Sequence, residues 1–199
     1  LPNLDPKKNY MKKTDFYLKK ILGKKNVKLK KNRPLTLTYI VGGAGAQKDI
    51  GVRIMRSLRN KIKNNQIRLH LFAGIKEEVY EFFMRNVEES DVKKFLGKNI
   101  NIYHHDNKIS YFQEMNNILR STDIIWTKPS EMSFYTGLGL PIIMTNPIGT
   151  HEKYNQQWLE HIGSGFMQED PDFTDNWLFY WLESGRFAEA AFEGFIEAP

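Results

Sequence analysis

Short apolar runs rich in β-branched residues alternate with stretches of helical periodicity along most of this chain, and that alternation limits its fold. Residues 35–41, 66–74, 99–106, 123–126 and 140–145 read as strands, with 164–167 as a short sixth. Between them, residues 49–64 place Ile50, Ile54, Leu58 and Ile62 on one helical face. Residues 77–87 do the same with Val79, Phe82, Phe83 and Val87. Residues 110–120 read as a helix with Phe112, Met115, Ile118 and Leu119 inward. A further helix is expected at 151–161, and closing helices at 177–182 and 186–195. Apolar strands separated by helices need cover on both faces. The expected fold is α/β: a Rossmann-like parallel sheet of about six strands with helices on both sides.

The chain has 199 residues and no cysteine. That excludes a disulfide framework and any cysteine-ligated zinc or iron–sulfur site, and it points to a reducing, cytoplasmic setting. No apolar run approaches the roughly 20 residues that span a bilayer, and the first 34 residues lack the apolar stretch of a signal peptide. The absence of an initiator Met leads to the expectation of a fragment of a longer, two-domain protein.

Charge is distributed unevenly. The formal net charge is +6, yet residues 1–33 hold 12 of the 29 Lys and Arg and only two acids, Asp5 and Asp15. Residues 34–199 are therefore mildly acidic, with 17 basic and 21 acidic residues. Residues 1–34 are expected to be a basic connector with one short helix near 15–22, and residues 35–199 the folded domain. The connector reads as a solvated linker, as a segment packed on the domain, or as a patch for an anionic membrane surface, since Tyr10, Phe16, Tyr17, Ile21 and Leu22 lie among its lysines. Nucleic acid is disfavoured, because the remainder of the chain is net acidic.

Polar residues gather where strands end. After the first strand comes Gly42-Gly-Ala-Gly-Ala-Gln47. Strand, glycine turn and helix together present backbone N–H groups to an anion, although a tight turn needs glycine equally. His104-His-Asp106 closes the third strand. Adjacent histidines point to opposite faces, so they do not form a metal site by themselves. The fourth strand stops at Thr127-Lys-Pro-Ser-Glu131. Pro129 and Ser130 suit a helix start and Glu131 its first turn. Equally, Lys128 and a helix N-terminus could meet a phosphate while a carboxylate accepts ribose hydroxyls. The fifth strand leads into Pro147-Ile-Gly-Thr-His-Glu-Lys-Tyr-Asn-Gln-Gln-Trp158, whose polar groups suit either a capped helix or a sugar.

The order of GGAGA, TKPS, GLGLP and HEKYNQQWL is similar to the C-terminal, donor-binding half of GT-B glycosyltransferases. It most resembles family 28, the group of the undecaprenyl-pyrophosphoryl-muramoyl-pentapeptide N-acetylglucosaminyltransferase and the diacylglycerol glycosyltransferases. The likeness runs from about Leu35 to Gly165. It implies a UDP-sugar donor and transfer of a hexose or N-acetylhexosamine to an acceptor that is lipid-linked in this group. It also implies no obligatory metal or cofactor, and a general base on a separate N-terminal domain. The implied donor-binding residues are Gly42, Gly43 and Gly45; Tyr103 and His104; Thr127, Lys128, Ser130 and Glu131; and Glu152, Asn155 and Gln156. One departure stands out. The family's ribose-binding glutamate would fall near Phe134, and the nearest acid is Glu131. An epimerase acting on UDP-N-acetylglucosamine and a non-enzymatic nucleotide-binding module are the alternative readings.

Overall fold

The computed structural model describes residues 1–23, 33–42, 45–130 and 132–198. Six parallel strands form one sheet: β1 (Leu35–Ile40), β2 (Ile67–Gly74), β3 (Ile100–His104), β4 (Ile124–Thr127), β5 (Ile142–Met144) and β6 (Gly165–Met167). Their order is β3-β2-β1-β4-β5-β6. The chain winds outward from β1 through β3, then returns to pair β4 with the other side of β1. Consecutive crossovers therefore reverse direction between β1 and β4, which is the switch point of a doubly wound sheet.

Helices cover both faces. On one side lie α2 (Lys48–Ser57), α3 (Arg59–Lys63), α4 (Glu77–Glu88), α8 (Thr174–Ser184) and α9 (Arg186–Glu197). Their buried Ile54, Leu58, Ile62, Val79, Phe83, Leu178 and Phe187 meet Leu37, Tyr39, Leu71 and Trp126 of the sheet. On the other side, α5 (Lys108–Leu119), α6 (Met132–Gly137) and α7 (Thr150–His161) bring Met115, Ile118, Tyr135 and Leu159 against Ile40, Phe72, Ile125 and Met144. Alternate residues of each central strand thus serve two separate cores, as a strand buried on both faces must. Gly51 permits a close approach of α2 to the sheet and to α4: a Cβ there would lie 2.8 Å from Phe83 and 2.9 Å from Tyr39.

Two local expectations are corrected. The helix expected over residues 49–64 breaks at Leu58 into α2 and α3, although Leu58 keeps its place in the core. Phe112, expected inward, is 56% exposed. Its spacing, three and seven residues before Met115 and Leu119, puts it on the inward stripe of α5, but the packing around that helix leaves it open.

The N-terminal segment joins the fold. Its helix α1 (Asn9–Leu22) is longer than the 15–22 expected, and Leu4, Tyr10 and Leu18 are buried in the first core. The segment is pinned at the amino ends of the strands by Asp123. That carboxylate accepts from Asn3 Nδ2 (2.9 Å), from Arg33 (2.7 and 2.9 Å) and from the Thr36 backbone N–H (2.8 Å). The stretch of the expected connector over residues 24–32 lies outside the described residues.

Two predictions follow from this architecture. Asp123→Ala strands Arg33 and the Thr36 N–H together, so it should destabilise the protein by about 3 kcal/mol; urea unfolding measures this. His70 is buried in β2, and its Nδ1 has no hydrogen-bond partner. Burial, then the Arg68 and Arg33 charges, push its pKa down to about 4. The unfolded chain takes up that proton near pH 6.5. The contribution of neutral His70 is therefore whole above that pH and declines toward pH 4. Stability should fall by about 2 kcal/mol between pH 7 and pH 5 from this group alone, and His70→Leu should remove that part of the decline in paired urea titrations.

Candidate functional site

The carboxyl ends of β1, β4 and β5 converge on one polar corner. β1 leads through Val41 into Gly42, and Gly45 at φ +74° closes a turn in which its N–H donates to the Gly42 carbonyl at 2.8 Å. A Cβ at Gly42 would lie 3.0 Å from Lys128 Cδ, so the lysine stem passes close over the glycine. Gly43 lies outside the described residues.

Thr127 ends β4, buried, with its hydroxyl donating to the Ile40 carbonyl at 3.2 Å. The chain then bends sharply over Pro129, as the Ser130 N–H donates to the Lys128 carbonyl at 2.8 Å. This i to i+2 closure is a γ-turn. Pro129 therefore does not open a helix as expected. α6 begins only at Met132 and is six residues long. Glu131 lies outside the described residues.

Lys128 is mostly buried, and its Nζ lies 2.8 Å from Glu152 Oε1. The other carboxylate oxygen of Glu152 accepts from the Ile148 N–H at 2.7 Å. Burial alone would raise the pKa of Glu152. The Lys128 ammonium and the Ile148 and Gly149 N–H groups outweigh it and hold the carboxyl below its ordinary value. Asn155, one turn along α7, donates to the carbonyls of Pro129 (2.9 Å) and Ser130 (3.3 Å). The start of α7 thus grips the strand-four loop by its charge and by its backbone. Ser130 itself is exposed.

Gln47 was not picked out by sequence reasoning. It sits in the left-handed region at φ 65°. Its amide nitrogen donates to the Asn146 carbonyl (3.1 Å), and its amide oxygen accepts from the Thr145 hydroxyl (2.7 Å). It ties the loop after β1 to the loop after β5, bridging over β4. Its only local signal is a polar side chain directly before a helix.

Of the expected residues, Gly42, Thr127, Lys128, Ser130, Glu152 and Asn155 come together. Gln156 turns aside, donating to Glu160 Oε1 at 3.0 Å. Tyr103 and His104 end β3, two strands from β1 on the same edge. Tyr103 is half-buried between Phe72 and His70, and burial, then Glu114, raises its pKa. His104 Nδ1 lies 3.2 Å from Glu77, while its buried Nε2 has no hydrogen-bond partner. Among the described residues, no three His, Asp or Glu side chains are grouped as metal ligands.

Solved structures share this arrangement. MurG of Acinetobacter baumannii matches with a TM-score of 0.59 at 14% identity, over 85% of this chain and 47% of that one. WaaG, a glycosyltransferase involved in lipopolysaccharide biosynthesis, matches at 0.57 and 15% identity, over 100% of this chain and 50% of its own. The spinosyn rhamnosyltransferase SpnG, complexed with thymidine diphosphate, matches at 0.53 and 16% identity, over 84% and 42%. The fold is that of the C-terminal half of GT-B glycosyltransferases. The chain spans about half the length of the first two structures. By sequence it matches a family described as "Domain of unknown function (DUF6938)" over residues 23–98 and 76–176, and it belongs to that family. No curated protein sequence matches it.

The Lys128–Glu152 pair yields a stability prediction. Glu152→Ala leaves a buried ammonium and the Ile148 N–H without their acceptor, at a cost of about 3 kcal/mol. Adding Lys128→Met should recover at least about half of that loss, because no charge is then stranded. A double-mutant cycle by urea unfolding measures the coupling.

Proposed function

We propose that this chain is the donor-binding domain of a glycosyltransferase and holds a nucleoside-diphosphate sugar, a UDP-sugar, above the crevice between β1 and β4. The observation that carries the reading is positional. The loops after the first and fourth strands lie side by side at the switch point, where open α/β sheets take their ligands. They bring to it a glycine backbone, a lysine and an exposed Ser130, and the loop after β5 adds the start of the 12-residue α7. The fold shared with glycosyltransferases, one of them holding a nucleoside diphosphate, supports the same reading.

In this reading the diphosphate lies against the Gly42 turn and Lys128. An ammonium has three donors and Glu152 occupies one, so two remain for phosphate oxygens. Tyr103 and His104 lie on the side where the base would sit, and the start of α7 on the side of the sugar, with Gln156 free to contribute only if it leaves Glu160. The sugar, a hexose or N-acetylhexosamine, passes to an acceptor held by a further domain, which also supplies the general base. The acceptor oxygen attacks the anomeric carbon, the bond to the diphosphate breaks, and the acceptor proton goes to that base. The negative charge that develops on the leaving diphosphate is stabilised by N–H donors and Lys128 fixed in advance.

Isothermal titration with UDP, UDP-sugars and thymidine diphosphate tests the proposal. Binding of UDP is expected, and Lys128→Ala should weaken it by about 30-fold, the value of a charge-assisted contact of roughly 2 kcal/mol. Folded protein that binds no nucleotide at millimolar concentration would exclude the reading.

A further inference from the structure

We propose that the outer face of α1 docks the protein on an anionic lipid surface, a role separate from the nucleotide site. The helix is held in a fixed orientation by its inner side. Asp5 caps it, accepting from the Asn9 and Met11 N–H groups at 2.8 Å each. Asn9 donates to the Glu183 carbonyl at 2.7 Å, and Tyr10 and Leu18 are buried. What then faces outward is not a purely polar surface. Phe16, Tyr17 and Ile21 are 72%, 61% and 47% exposed, and the first two rings meet edge to face at 5.7 Å.

Charge identifies the partner. Lys13 and Lys20 stand three and four residues from Phe16 and Tyr17, so they share that face. Lys12 and Lys19 flank it, and the one acid of the helix, Asp15, is paired with Lys19. Five more lysines and no acid follow in residues 24–32, whereas residues 34–199 are net acidic. An apolar face alone would suit a protein, and lysines alone a nucleic acid. Aromatic and aliphatic side chains ringed by lysines on one short helix suit the boundary of an anionic bilayer, where the rings and Ile21 enter the acyl margin and the ammoniums meet headgroups. Ile21 argues against single-stranded nucleic acid, because an aliphatic chain offers no stacking surface. No helix among the described residues is long and apolar enough to cross a membrane, so α1 would lie on the surface.

The test is co-sedimentation of the whole chain with phosphatidylcholine vesicles, with and without about a third phosphatidylglycerol. Binding is expected only with the anionic lipid and should weaken as salt rises. Lys13→Gln with Lys20→Gln should lower partitioning by about 30-fold. Phe16→Ser, Tyr17→Ser and Ile21→Ser together should lower it roughly tenfold or more. All these side chains are exposed, so circular dichroism and UDP titration should be unchanged in the variants. Absence of vesicle binding, equal binding to neutral vesicles, insensitivity to either variant set, or a preference for single-stranded oligonucleotide over vesicles would each overturn the proposal.

Discussion

The pairing of β1 with β4 is the seam on which the rest of the structure depends. It spans only four residues of β4, from Leu37 opposite Ile124 to Ile40 opposite Thr127. Those contacts are mostly apolar and would tolerate sliding, yet a shift by one residue would carry Trp126 from one core to the other. Polar groups fix both ends. At the amino end, the Asp123 carboxylate takes the Thr36 N–H and the Arg33 guanidinium. At the carboxyl end, the Thr127 hydroxyl holds the Ile40 carbonyl, and Gln47 reaches across to Thr145 and Asn146. Neighbouring strands lie about 4.8 Å apart, so a fixed seam sets the Gly42 turn directly beside Lys128.

Much of this architecture was legible in the sequence because the signals were redundant. Val79, Phe83 and Val87 announce a helix by spacing alone, and all three are buried. The parallel sheet followed from strands such as Ile124-Ile-Trp126, which leave no polar face to give to water. The failures have physical causes. Phe112 fits an amphipathic pattern as well as its neighbours, and only the packing of α5 reveals that its side of the helix is open. The break at Leu58 leaves no mark in the spacing of apolar residues, since both half-helices keep the same inward face.

The site was legible as a list of loops, and the interactions within it were not. Lys128, Glu152 and Asn155 are 24 and 27 residues apart along the chain as counted from the lysine. Each invited a ligand-facing role because each is polar at a strand or helix end. The structure shows that the three spend part of their bonding capacity on one another's loops. No reading of spacing distinguishes a side chain aimed at a ligand from one that holds the wall of a pocket. Gln47 is the converse case: a left-handed backbone and two hydrogen bonds to a loop almost a hundred residues away have no local signature.

The Lys128–Glu152 pair also constrains how the corner could attract an anion. Two opposite charges 2.8 Å apart cancel at distances beyond a few ångströms, and the surrounding domain is net acidic. An approaching diphosphate would therefore feel little long-range pull here, and recognition would rest on short-range donors already in place. That arrangement suits a leaving group better than a permanent ligand. In the proposed reaction a lysine oriented by its carboxylate would need little reorganisation as charge develops on the phosphate oxygens. A free, mobile lysine would bind a resting anion more strongly and gain less from the change. In the proposed site the carboxylate of Glu152 would do more than neutralise: it would trade affinity for orientation, and Asn155, bonded to the Pro129 and Ser130 carbonyls, would extend the same control to the backbone beside Lys128.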